Sequence, residues 1–447
     1  MVKINSIDIS PPLINSSCAW SSTLEHLEEL YASPYTGGVT TRTATLDGFQ
    51  EDSSHTVTFA KDSHSSCNSY GYSPHPLREY LAWVPTLMAS PPPANAPHPH
   101  KPIIISIAAS TPATLTTMLS SIQILRASLG DNYGARPARI AVELNTSCPN
   151  IPGISPSGYE FKRLLPLLRV LKSAFDKDET LTIGLKLPPF VVKEQFTAVI
   201  EGVRELLKPM TPTVETRRLP IPLPGRRAPV APPAPVAPHG REKCPIAFFT
   251  CVNTLGNAMY FPDQVHFDTS DLANPPAPRD ASCDPNYALP TPLGGMAGEA
   301  LHPLALGNVY TFAQLLHHKG VSQPIPMLPL PLSTKKSAKS GITPPPPSEG
   351  ENEFDSDDDG SGASTPSGGR SGSPSPDNSR NGQEKDDPLK DIVIIGVGGV
   401  TSHAALQRMH KAGAQVVAAA TLLGKLGVKA FEVLSTPQEV NDLAEKK

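Results

Sequence analysis

Eight short apolar runs recur along this chain, near residues 13, 38, 105, 142, 184, 249, 394 and 417. Ile103 to Ala108 is typical: apolar residues follow one another without polar alternation, as in a strand buried on both faces. Helical patterns separate most of the runs. A capping box, Ser22-Thr-Leu-Glu25, opens a helix with Leu24, Leu27 and Leu30 on one face. Thr114 to Leu129 is closed by Gly130, and further helices are expected at 158–175, 193–207, 302–319 and 401–412. Strands that alternate with helices pair in parallel, and eight of them give an α/β fold, a (β/α)8 barrel of the TIM type. The alternative is an open doubly wound sheet. That fold would more often carry a Gly-rich fingerprint after its first strand, and none is present.

Proline supplies 52 of 447 residues and concentrates in a few segments. Residues 88–101 and 208–243 read as proline-rich spacers. Residues 322–388 run from prolines through Glu/Asp to Ser/Gly/Pro, with too little apolar surface to offset the entropy of ordering, and disorder is expected there. The expectation is one domain, 1–447, interrupted by these three insertions. Each insertion precedes a strand, the N-terminal end of a barrel, whereas the polar clusters follow strands, where barrel enzymes keep their active sites. Lys and Arg total 38 against 42 Asp and Glu, a net charge of −4, so nucleic acid and anionic membrane are poor partners. Six cysteines lie far apart without a C-x-x-C pair, which argues against a metal site or a disulfide framework. No secretory signal is visible in Met1 to Ser10 and no run of about 18 apolar residues occurs, so a cytoplasmic protein is expected.

The strand exits carry the chemistry. After the run Arg139 to Leu144, polarity rises abruptly and Cys148 stands between Asn145 and Asn150, on a loop set by Pro149, Pro152 and Gly153. A loop thiol can accept a proton; a buried, inert cysteine is the other reading. Lys186 interrupts the apolar strand Ile183, Leu185, Leu187, where it either meets an electron-rich partner or snorkels past the strand end. Gly398-Gly399 and Ala420-Thr421 follow strands seven and eight, where barrels commonly bind phosphate. Together these suggest a phosphorylated cofactor with a lysine by its ring and a thiol on its open face.

Four ordered motifs carry a resemblance: Asn-Thr-Ser-Cys-Pro-Asn-Ile-Pro-Gly at 145–153, Leu-Lys-Leu-Pro-Pro at 185–189, Val-Asn-Thr-Leu-Gly-Asn at 252–257 and Ile-Gly-Val-Gly-Gly-Val at 395–400. With Thr41-Arg-Thr-Ala-Thr45, they resemble the dihydroorotate dehydrogenases from about residue 10 to 435, the spacers apart. The resemblance implies an FMN-bearing barrel that oxidises dihydroorotate to orotate in pyrimidine synthesis. It implies Cys148 as the base that takes a proton from C5 while hydride leaves C6 for the flavin. It implies substrate contacts at Arg42, Asn68, Tyr70, Gly71, Tyr72, Asn145, Asn150, Asn253 and Thr254. Flavin contacts are implied at Ser16, Ser17, Arg42, Thr43, Asn145, Lys186, Val252, Gly294, Gly295, Gly398, Gly399, Ala420 and Thr421. A cysteine base resembles the soluble class, with fumarate as acceptor and a homodimer as assembly. Three departures stand out: Arg42 replaces the family's usual lysine, Ala420 a usual glycine, and Tyr70 and Tyr72 replace smaller aliphatic residues. They leave open a flavin oxidoreductase for another cyclic substrate. A catalytically idle barrel, its acidic insert (Glu351–Asp359) serving as an interaction platform, is the reading from a different class.

Overall fold

The computed structural model describes residues 1–91, 100–134, 136–147, 150, 157–208, 243–266, 272–273, 285–317 and 387–437. In chain order the first strands are β1 (Val2–Ile4), β2 (Ile7–Ile9), β3 (Leu13–Asn15), β4 (Val39–Thr40), β5 (Val57–Phe59), β6 (Ser65–Asn68) and β7 (Ile103–Ile107). They are followed by β8 (Ile140–Asn145), β9 (Thr182–Leu187), β10 (Phe248–Cys251), β11 (Leu255–Ala258), β12 (Gly294–Gly298), β13 (Val393–Val397) and β14 (Val416–Ala419). Eight of them form one parallel sheet in the order β3-β14-β13-β10-β9-β8-β7-β4. These are the eight apolar runs of the sequence. From β4 onward each pairs with the next barrel strand in the chain, and the last pairs with the first, which leaves β3 and β4 as the two ends of the hydrogen-bonded order. A doubly wound sheet would reverse its order midway, so the architecture is the (β/α)8 barrel.

The seam between β3 and β4 is closed by a side chain. Asn15 is fully buried; its Nδ2 donates to the Thr40 carbonyl at 2.6 Å and its Oδ1 accepts the Thr40 N–H at 2.8 Å. The amide thus reproduces the two bonds a backbone ladder would make. At the other end of the barrel, β1 and β2 pair antiparallel and send Ile4, Ile7 and Ile9 into a core shared with Ile104, Ala141, Phe248 and Val416. Gly184 belongs to this layer: a Cβ there would lie 2.1 Å from the Phe248 ring. A second, larger core joins the outer faces of the strands to the surrounding helices.

Several elements differ from expectation. The helix Leu24–Ala32 is capped by Thr23, which accepts the His26 N–H at 3.3 Å, rather than by Ser22. A helix at Leu77–Ala89 was not expected; Pro85 inside it breaks the pattern, yet Leu77, Tyr80, Val84 and Leu87 bury one face. The helix expected from residue 158 is two 3-10 turns followed by Leu165–Lys177, with Pro166 in a first turn that needs no N–H from it. Gly294-Gly295 opens β12 of a four-stranded antiparallel sheet, β11-β12-β6-β5, which the count of eight parallel strands does not include.

Residues 92–99, 209–242 and 318–386 lie outside the described residues, and the disorder expected within 322–388 falls almost wholly among them. The spacer boundaries are narrower than expected. Met88 and Ala89 complete a helix. Lys101 is buried, with Nζ donating to the carbonyls of Tyr31 (2.8 Å) and Ser33 and to Thr36 Oγ1 (2.9 Å). Asp387 caps the turn Pro388–Asp391. All three segments join the C-terminus of a helix to the N-terminus of a strand. No helix among the described residues is long and apolar enough to cross a membrane.

Candidate active site

Parallel strands deliver their C-terminal residues to one end of the barrel. There a cleft of about 1010 Å3, counted out to its open mouth, is lined from six of the eight exits: Ser16 and Ser17 after β3, Arg42 and Thr43 after β4, Asn145 at the end of β8, Val252, Asn253 and Thr254 after β10, Gly398 and Gly399 after β13, Ala420 and Thr421 after β14. Lys186 of β9 joins them, with Asn68, Tyr70, Gly71, Tyr72 and Asn150 at the mouth. The described residues expected at the site therefore share one cavity, with two exceptions. Gly294 and Gly295 do not line it; they stand behind Asn68, whose Nδ2 donates to the Gly295 carbonyl at 3.1 Å. Cys148 and Pro149 lie outside the described residues. The cavity also takes in Cys18, Trp20, Val57, Ser66, Gly298 and Thr401. Val57 and Ser66 come from the antiparallel sheet, which no apolar periodicity announces.

A hydroxyl chain forms the floor. Ser17 Oγ meets Thr43 Oγ1 at 3.0 Å, Thr43 meets Ser106 Oγ at 3.0 Å, and Ser106 donates to Glu143 Oε1 at 3.0 Å. Thr250 donates to Glu143 Oε2 at 2.6 Å, and Asn145 Nδ2 to Thr43 Oγ1 at 3.0 Å. The buried Glu143 carboxylate is held by two hydroxyls, with no ion pair among the described residues. Lys186 is 5 % exposed and its Nζ donates to the Ser17 carbonyl at 3.1 Å, so it faces the cavity and does not snorkel to solvent.

The Lys186 backbone carbonyl anchors the loop that follows β8. It accepts Thr146 Oγ1 at 2.7 Å and Ser147 Oγ at 3.3 Å. Asn253 Nδ2 donates to Asn145 Oδ1 and to the Ser147 carbonyl, both at 3.1 Å, while its Oδ1 accepts the Thr254 N–H at 2.9 Å. Across the mouth, Asn150 Nδ2 donates to Asn68 Oδ1 at 3.1 Å and to the Tyr70 carbonyl at 2.9 Å. Four amides thus meet at one opening, each able to donate and to accept.

Gly398 and Gly399 both take positive φ, +122° and +65°, and a Cβ on Gly399 would lie 2.4 Å from the His302 Cβ. His302 Nδ1 donates to the Gly398 carbonyl at 2.8 Å, and Arg408 Nε donates to His302 Nε2 at 3.2 Å. Burial lowers the His302 pKa, in keeping with the neutral tautomer these bonds need. Ser16 Oγ is buried in the cavity wall without a protein partner. Burial raises the thiol pKa of Cys18, and pushes Cys67 up to about 11 and Cys244 up to about 12. Cys251 is raised as well, so these four thiols stay protonated at neutral pH.

No protein-family model matches the chain. It is 25 % identical over 307 residues to a Streptococcus pyogenes serotype M5 protein, across 68 % of this chain and 71 % of that one. A Streptococcus pneumoniae serotype 4 protein matches at 25 % over 311 residues, 68 % and 72 % of the two chains. A Streptococcus equi protein matches at 24 % over 318 residues, 70 % and 75 %. All three are provisionally named dihydroorotate dehydrogenase A (fumarate). The chain is a distant relative of proteins carrying that name, at an identity too low to carry their reaction over by itself.

Proposed function

We propose that the chain is an FMN-dependent dihydroorotate dehydrogenase that passes its electrons to fumarate. The observation that carries this reading is the convergence of four asparagine amides, a buried lysine and a Gly-Gly turn in one cavity at the C-terminal end of the barrel. The wall fits FMN in three respects. Ser16 Oγ is a buried polar atom awaiting a partner. Lys186 brings a positive charge whose one hydrogen-bond acceptor among the described residues is the Ser17 carbonyl. The turn at Gly398-Gly399, with Ala420 and Thr421, offers backbone N–H groups without bulky side chains after the seventh and eighth barrel strands, where phosphate is commonly held.

Dihydroorotate becomes orotate by losing a proton from C5 and a hydride from C6. FMN, when bound, takes up the hydride. The chain supplies the rest. Cys148 is the proposed proton acceptor, and its loop is held by Thr146 and Ser147 on the Lys186 carbonyl and by Asn253 on the Ser147 carbonyl. Asn68, Asn145, Asn150 and Asn253 match the imide edge of the ring, which both donates and accepts. Lys186 would hold the flavin ring from the cavity wall and would offset with its positive charge the negative charge of the reduced ring. The test is anaerobic mixing of the yellow protein with dihydroorotate, read as bleaching of the flavin absorbance. A colourless protein, or a flavin that dihydroorotate leaves oxidised, overturns the reading.

A further inference from the structure

Arg42 reaches the cavity mouth, yet it has little left to offer a ligand. Its guanidinium pairs with Glu51 through both terminal nitrogens, Nη2 to Oε1 and Nη1 to Oε2 at 3.3 Å. Nη1 also donates to Ser22 Oγ at 3.2 Å and Nη2 to the Gly71 carbonyl at 3.4 Å. The four terminal N–H groups therefore all have protein acceptors. The planar face lies 5.2 Å from the Tyr70 ring centre, a cation–π contact. The Arg42 side chain is 7 % exposed and that of Glu51 23 %. Glu51 itself does not line the cavity; it approaches from behind, on the loop that Phe49 fixes by donating its N–H to the Ser73 carbonyl at 2.8 Å.

A bidentate arginine–carboxylate pair is a strong and directional contact. An incoming carboxylate must displace Glu51, Ser22 or Gly71 before Arg42 can hold it. We propose that Glu51 is a specificity-determining residue: it withdraws Arg42 from anion recognition and makes it the clamp of the Tyr70–Tyr72 loop, so the mouth selects for the ring amides more than for the ring's carboxylate. This rests on the proposed reading of the substrate as a cyclic imide acid. Arg42 is then a positioning residue, holding Tyr70 by its face and Gly71 by its carbonyl. Lys186 and the amides remain to attract the anion.

The experiment titrates the flavin-loaded protein with orotate and with uracil, the same ring without its carboxylate, following the flavin spectrum. Glu51→Gln keeps the shape and one acceptor but releases the arginine's charge. It raises the orotate-to-uracil affinity ratio about tenfold or more, with uracil affinity nearly unchanged. Arg42→Gln lowers affinity for both ligands in the same proportion, because the loop is loosened; a loss confined to orotate would show that Arg42 anchors the carboxylate and would overturn the proposal. Sulfate titration by calorimetry tests the released charge without any ring. Glu51→Gln gains a sulfate site that Glu51→Gln/Arg42→Gln lacks. If the parent protein binds neither ring, the functional reading fails while the sulfate arm still decides the role of Glu51. An unchanged ratio, or no sulfate site gained, overturns the proposal.

Discussion

Asn15→Ala tests how the barrel is closed. The wild-type amide makes two short bonds across the seam, 2.6 Å to the Thr40 carbonyl and 2.8 Å from the Thr40 N–H, in a position with no solvent access. Alanine leaves both backbone groups of Thr40 buried and unpaired. An unsatisfied buried group costs roughly 1–3 kcal/mol, so with two of them the variant is expected to lose about 2–6 kcal/mol. Against a typical domain stability of about 5–15 kcal/mol, that is a large share. Asn15→Asp is expected to be no better: it keeps the acceptor, loses the donor, and buries a charge without a partner. The assay is urea unfolding followed by far-UV circular dichroism, with slopes compared to establish that the same surface is exposed. Because Ser16, Ser17, Arg42 and Thr43 are the exits of these two strands, cofactor retention should fall in parallel with stability. A loss in Asn15→Ala below about 0.5 kcal/mol would refute the argument, since it would mean that the backbone closes the seam unaided.

On the proposed function, Lys186→Ala should slow flavin reduction and weaken flavin retention, by removing the positive charge that lines the cavity; unchanged stopped-flow kinetics would reassign the lysine to structure. Cys148→Ala should still bind orotate but lose flavin reduction by about a hundredfold or more, the range for a positioned base, and reduction as fast as the parent's would remove Cys148 from that role. Burial holds the Lys101 ammonium down to about 8, below the ordinary lysine value of about 10.4. The unfolded chain therefore binds that proton more tightly, and this group's contribution makes stability rise as pH climbs from about 8 towards 10.4. Lys101→Met should abolish that rise and, at neutral pH, lower the urea midpoint by stranding the carbonyls of Tyr31 and Ser33. Replacing 322–386 by a short Gly/Ser link should leave turnover within about twofold, because the segment is attached between the C-terminus of the helix His302–Leu316 and the start of β13, the end of the strand opposite to the exits that line the cavity; loss of bound flavin would contradict that.

The barrel was legible because strands buried on both faces must be written as uninterrupted apolar runs, and topology then sends every exit to one end. That is why exit residues as far apart as Ser16 and Thr421 can be grouped from the order of amino acids alone. The antiparallel sheet was not legible: β6 reads Ser-Ser-Cys-Asn and β12 Gly-Gly-Met-Ala-Gly, and such short strands carry neither period. Glu51 gave no signal either, since it meets Arg42 only through a loop that turns back over nine residues. The harder limit concerns polar residues inside apolar strands. Asn15, Glu143 and Lys186 all break an apolar run, and all are buried. The sequence marks the three alike. Partners separate them: Asn15 spends its amide on backbone and closes the barrel, Glu143 is satisfied by Ser106 and Thr250 and holds the floor, and Lys186 spends one bond on Ser17 and keeps the rest of its charge towards the cavity. A polar residue in such a strand therefore marks a place where the fold needs something other than packing. Only the acceptors left free around it tell whether that need is the fold's own or a ligand's.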